Sequence, residues 1–148
     1  MLDQLDIALT AELQEHGRAS VAELARKLKK PRATVRDRLR RLEHVGAIEG
    51  YTAVIDMGKI GFPIKAIIRV HVSERIVKPQ DFLDALGQIP EVASADLVTG
   101  EHEAVVTVRV RDIEHLSRVL YEDMRQIPGV TGTNTSIVLL GRQWRIPR

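Results

Sequence analysis

Between Arg26 and Arg41 stand nine basic residues, Arg26, Lys27, Lys29, Lys30, Arg32, Arg36, Arg38, Arg40 and Arg41, against one acidic residue, Asp37. Such a one-signed block suits a polyanion, because lysine or arginine on phosphate releases condensed counterions and arginine can pair bidentately with guanine. The segment carries +8 in a chain of net charge +2, so the remainder is −6. A merely solvated helix face would interleave its signs at i, i+4, and this block does not. A second group, Glu101-His102-Glu103, could suggest a metal or an acid-base pair. Adjacent strand residues point to opposite faces, however, and no second histidine is close in sequence, so a solvated turn is expected. His16, His44, His71 and His115 are scattered, and Gly58 to Gly61 lacks the spacing and the lysine-threonine pair of a phosphate loop. Neither a catalytic group nor a metal or cofactor is expected.

The basic block needs a scaffold, and the preceding sequence supplies one. Leu5, Leu9 and Leu13 recur at helical spacing until His16 and Gly17, where glycine can cap. Ser20 with Glu23 forms a capping box that opens a second helix through Leu28. A third helix is expected from Pro31 to His44, with Val35, Leu39 and Leu42 as its buried stripe. At about 100° per residue that stripe turns Arg36, Asp37, Arg40 and Arg41 outward, with Arg32 on the flank. Two helices joined by a tight turn are the parts of a helix-turn-helix, whose second helix enters the major groove by its N-terminal half. Arg32, Thr34, Arg36 and Asp37 then lie nearest the bases, while Lys29, Lys30, Arg40 and Arg41 position the helix on phosphates.

After Gly50, the segment Tyr51 to Asp56 is expected as a strand or extended linker, and Gly58, Gly61 and Pro63 break any regular element. Ile64, Ala66, Ile68, Val70 and Val72 then alternate with polar residues, as do Ala104, Val106, Val108 and Val110. Each strand is followed by a helical stretch, Pro79 to Gln88 and Ile113 to Gln126. Each helix ends in a matching phrase, Gln88-Ile89-Pro90-Glu91-Val92 and Gln126-Ile127-Pro128-Gly129-Val130, 38 residues apart between the prolines. Two strand-helix-strand copies make a ferredoxin-like β-α-β-β-α-β sheet with both helices on one face. The other face would carry Ile67, Leu97 and Val105 beside Arg69, Thr107 and Arg109, too apolar to stay wet, and a second copy of the chain is its expected cover.

At 148 residues, 44% hydrophobic and 28% charged, the chain has the composition of an ordinary folded protein. The absence of cysteine excludes disulfides and thiolate chemistry, and fits a reducing compartment, the cytoplasm. The start of the chain is amphipathic rather than a basic leader, and no apolar run reaches the roughly 18 residues of a membrane span. The five aromatics, Tyr51, Phe62, Phe82, Tyr121 and Trp144, all fall outside the expected strands of the second domain, so the sheet offers no platform for stacking RNA bases. The fold class expected is α/β (α+β): an N-terminal winged helix-turn-helix (1–50), a linker (51–63), a ferredoxin-like effector-binding and oligomerisation domain (64–141) and a loosely ordered tail (142–148).

The order of parts resembles the Lrp/AsnC, or feast/famine, family. The residues that carry the resemblance are Leu2-Asp3-Gln4-Leu5-Asp6, Val21-Ala22-Glu23-Leu24-Ala25, Val35 to Glu43 followed by Gly46-Ala47-Ile48, and Gly50-Tyr51-Thr52-Ala53. In the second half they are Leu97-Val98-Thr99-Gly100 and Ile127-Pro128-Gly129-Val130, leading to Thr135 through Leu139. The resemblance implies a sequence-specific transcriptional regulator on double-stranded DNA, a homodimer assembled further into tetramers or octamers, tuned by a small effector, commonly an amino acid. It places the effector at Thr99, Gly100, Glu101, His102 and Glu103, with Thr133 and Thr135. This chain departs from the family at His102, where an aromatic is common, at Glu103, where aspartate is common, and at Lys29-Lys30-Pro31, where glycine, an apolar residue and a serine cap are common. An enzyme resembling the siroheme decarboxylases shares the same two-domain plan, but would not need a +8 segment.

Overall fold

A computed structural model describes residues 2–73 and 78–141. The chain divides into two compact units, the first ending at Ile55 and the second running Asp56–Gly141. The expected tail at 142–148 lies outside the described residues.

The first unit holds three helices, α1 (Gln4–Glu15), α2 (Val21–Leu28) and α3 (Arg32–His44). Asp3 caps α1: its Oδ1 accepts from the Leu5 and Asp6 amides at 3.0 Å, and the Asp6 carboxylate accepts from the Asp3 amide at 2.9 Å. Ser20 and Glu23 make the expected box at α2, with the Ser20 amide donating to Glu23 at 2.7 Å. Leu9, Leu24, Ala25, Val35 and Leu42 form the core, flanked by Leu13, Leu28, Leu39 and Ile48. Pro31 is the N-cap of α3 rather than its first helical residue, and supplies no side-chain cap. Among the described residues this unit has no strand, so the helix-turn-helix is present without the expected wing. Tyr51 to Asp56 is likewise not a strand.

The second unit opens with a turn rather than a free linker. Asp56 Oδ1 accepts from the Gly58 and Lys59 amides, and the Phe62 amide donates to the Met57 carbonyl at 2.8 Å. Four antiparallel strands follow, β1 (Ile64–Val72), β2 (Val92–Leu97), β3 (Ala104–Val110) and β4 (Val130–Ile137), in the order β2-β3-β1-β4. α4 (Pro79–Gly87) crosses from β1 to β2. From β3 to β4 the chain runs through α5 (Ile113–Arg118), a π-helical turn (Val119–Asp123) and a 3₁₀ turn (Met124–Gln126). One sheet face, with Ala66, Ile68, Val70, Ala104, Val106, Val108 and Val110, is buried against Phe82, Leu86, Leu116, Val119 and Met124, so both crossovers cover the same side.

The other face carries Lys65, Ile67, Arg69 and His71 on β1 and Val105, Thr107 and Arg109 on β3, alternating with the buried set. Leu97 does not join them: it pairs with Ala104, and opposed residues on neighbouring strands share a face. The irregularity between Val92 and Ser94 shifts the β2 register and explains the miscount. No helix among the described residues is long and apolar enough to cross a membrane.

Candidate nucleic-acid interface and effector loop

α3 follows α2 after a turn of three residues, and the conformation of the turn is set by Lys29. Its φ of 52° is left-handed, and its amide donates back to the end of α2, a position where glycine is free and lysine is strained. A shallow groove at this turn gathers four cations, Arg26, Lys29, Lys30 and Arg32.

Along α3 the basic residues separate into two stripes. Arg32, Arg36 and Arg40, at i, i+4 and i+8, are exposed and make no ion pair among the described residues. Arg38 and Arg41 lie on the opposite flank of the buried stripe and turn to α1. Arg38 Nη1 bonds Asp3 Oδ2 and reaches the two oxygens of Asp6 at 3.1 and 3.2 Å, while Arg41 Nη2 bonds Asp6 Oδ2. The Asp6 side chain is fully buried, with Arg38 28% and Arg41 45% exposed. The Asp3 carboxyl is held below its usual range by the Asp6 amide and the Arg38 guanidinium. The same contacts, Asp3 first and then Asp6, raise Arg38 further. Of the residues expected to touch DNA, Lys29, Lys30, Arg32, Arg36, Asp37 and Arg40 are exposed and Thr34 is half-buried. Arg41 has an internal partner that its outward angle did not reveal. Asp3 and Asp6 were missed, although Asp-x-x-Asp before an apolar run is itself a capping signal. At the far end of α3 the Tyr51 hydroxyl donates to Glu43 at 2.8 Å, and burial, then Glu43, push its pKa up.

The loop between β2 and β3 contains Thr99, Gly100, Glu101, His102 and Glu103, with Gly100 at a φ of 126°. Thr99, Gly100 and Glu101 are exposed, whereas His102 and Glu103 are half-buried. The expected solvated turn is therefore corrected at His102: its Nδ1 lies 3.0 Å from Nε2 of His71, with ring centroids 4.4 Å apart and planes at 73°. Pairing of β1 with β3 brings together two histidines that sequence distance had separated. Glu103 Oε2 accepts from the Val72 amide at 2.9 Å, and the Glu103 amide donates to the Val70 carbonyl; its other carboxylate oxygen has no hydrogen-bond partner among the described residues. Thr133 and Thr135 are not brought to this loop. They lie on the edge strand β4, paired with Val70 and Ile68, on the face that carries the helices. Among the described residues no cluster of three potential metal ligands exists.

The second unit also pairs His115 with the half-buried Glu91. His115, 5% exposed, has its Nε2 2.7 Å from Glu91 Oε1, and its Nδ1 accepts from the Arg111 amide, which fixes the proton on Nε2.

Comparison with known proteins bears on each unit. Residues 2–43 match the AsnC-type helix-turn-helix domain and residues 65–142 the Lrp/AsnC ligand binding domain. An HTH-type transcriptional regulator of Pyrococcus abyssi is 36% identical over 99% of this chain and 92% of its own. The proline dehydrogenase transcriptional activator of Rhizobium radiobacter is 32% identical over 93% of this chain and 89% of its own. The solved structure of a transcriptional regulator from Neisseria meningitidis in complex with L-Met superimposes with a TM-score of 0.89 at 26% identity, covering 97% of this chain and 94% of that one. The enzyme alternative gains nothing from these matches, which are to regulators of transcription. With both family domains matched in order, the chain belongs to the Lrp/AsnC family of transcriptional regulators.

Proposed function

We propose that this regulator reads double-stranded DNA through the exposed stripe Arg32, Arg36 and Arg40 of α3. Lys29 and Lys30 anchor the turn on phosphates, and Thr34 and Asp37 border the base edges. The observation that carries the reading is the stripe itself: three guanidiniums at one helical spacing, free of internal ion pairs among the described residues, on the second helix of a helix-turn-helix.

A homodimer, built further into tetramers or octamers, presents two such helices to sites about 10 base pairs apart centre to centre. The half-buried outer sheet face, with Ile67, Val105 and Thr107, supports pairing of two copies there. An amino acid is the proposed effector. Glu101 and the second carboxylate oxygen of Glu103 meet its ammonium, and the amides around Gly100 meet its carboxylate. Thr133 and Thr135 contribute only from another copy, since within one chain β1 stands between β4 and the loop. The cytoplasm is the proposed compartment. The effector changes DNA affinity only by preferring one assembly over another.

The test is a gel shift on duplex DNA selected from a random pool, combined with thermal-shift screening of the twenty amino acids. Failure to retain any duplex at low salt would exclude the DNA reading. Failure of every amino acid to alter stability or DNA affinity would exclude the effector reading.

A further inference from the structure

We propose that Asp6 is a positioning residue for the DNA-reading helix: its buried carboxylate keeps Arg38 and Arg41 off the duplex, so that only one of the two arginine stripes of α3 is presented to phosphate and base. The inference rests on the DNA-binding reading and adds an internal competitor to it.

Three observations converge on Asp6. Its side chain is fully buried yet meets two guanidiniums from α3 and the Asp3 amide, and a buried carboxylate without such partners would be strongly disfavoured. Arg38 is shared with Asp3, the cap of the same helix, so the N-terminal turn of α1 places two carboxylates against one flank of α3. The opposite flank, Arg32, Arg36 and Arg40, receives no acidic partner among the described residues. A DNA phosphate approaching Arg41 would have to displace an oxygen that is already desolvated and in contact. The +8 of the basic segment thus overstates what a duplex meets, because Asp3 and Asp6 neutralise part of it from α1. The clamp also fixes the roll of α3 about its own axis, which decides whether Arg36 points at base edges.

The readout is the salt dependence of binding, in which each neutralised phosphate contributes about 0.9 to the slope of log K against log salt. Duplex recovered by selection from random-sequence DNA serves as target, with unselected duplex for comparison. In Asp6→Asn, shown to be folded by circular dichroism, the slope is expected to steepen by about 1 to 2 as one or both guanidiniums reach phosphate. Binding to unselected duplex tightens, and preference for the target falls by roughly threefold or more. In Arg41→Ala the slope stays at the wild-type value, whereas Arg40→Ala makes it shallower by about 1. An unchanged slope in folded Asp6→Asn overturns the inference, as does an Arg41→Ala slope as shallow as that of Arg40→Ala. If Asp6→Asn does not fold, the Arg41→Ala comparison alone decides. Either overturning result, obtained while wild type still retains its selected target, leaves the DNA-binding reading intact.

Discussion

His71 on β1 and His102 in the β2–β3 loop share a hydrogen bond of 3.0 Å although 31 positions separate them. One imidazole donates and the other accepts, so the bond requires at least one neutral ring. It ties the proposed effector loop to a central strand of the sheet. Replacing either histidine by alanine is expected to weaken the effector-induced thermal shift similarly, and a double-mutant cycle should give a coupling of about 0.5 to 1.5 kcal/mol. Additive effects of the two substitutions, measured by urea unfolding, would mean that the pair does not act as a unit.

Arg36 lies centrally in the exposed stripe of α3. If it reads a base, Arg36→Ala costs roughly 1 to 3 kcal/mol on the selected duplex and relaxes the preference at one base position. Equilibrium binding to single-position variants of the site measures this, and a uniform loss across all sequences would reassign Arg36 to phosphate.

The left-handed Lys29 makes stability and binding separable. Lys29→Gly relieves a conformation that costs a side-chain-bearing residue about 1 kcal/mol, so the melting temperature should rise. The same change removes a cation from the turn, and the salt slope should become shallower by about 1. Differential scanning calorimetry and a salt titration check the two effects, whose signs must oppose.

His115 and Glu91 are a structural pair. His115→Ala leaves the Arg111 amide and the Glu91 carboxylate without their shared partner, at a cost of about 1 to 3 kcal/mol. Chemical denaturation should show the loss, with DNA binding by the folded fraction unchanged.

Acid should loosen the first unit through its caps. The carboxyls of Asp3 and Glu23 both sit below their usual values in the folded chain, Asp3 through the Asp6 amide and Arg38, and Glu23 through the Ser20 amide and hydroxyl. A depressed folded pKa gives stability that is present above the unfolded value, near pH 4, and lost as pH falls through the folded one. Asp3→Asn should flatten that part of the pH-stability profile. Circular dichroism melts between about pH 2 and pH 6 measure it.

What the sequence disclosed and what it withheld divide along physical lines. Leu5, Leu9 and Leu13, the Ser20–Glu23 box and the Val35–Leu42 stripe are local signals, and they placed the helices to within a residue or so. The alternation in β1 and β3 and the repeated Ile-Pro phrase exposed the sheet. Contacts that depend on register escaped: His71 against His102, and Leu97 on the helix-covered face. The ion pairs of Arg38 and Arg41 also escaped, because a helical wheel gives a direction but not the neighbour that occupies it. The π-helical turn at Val119–Asp123 escaped because an apolar period near 3.6 does not distinguish a bond to i+4 from one to i+5.

The repeated phrase conceals a division of labour one letter after its proline. In the first copy that letter is Glu91, which holds His115 of the second half. In the second copy it is Gly129, at a φ of 93°, where an added Cβ would come within 3.1 Å of Val72, and its carbonyl accepts from Ser73 at the end of β1. Exchanging the two letters would jam one corner of the sheet and empty the other. The two halves are thus complementary rather than interchangeable: Glu91 of the first serves His115 of the second, and Gly129 of the second leaves room for Val72 of the first.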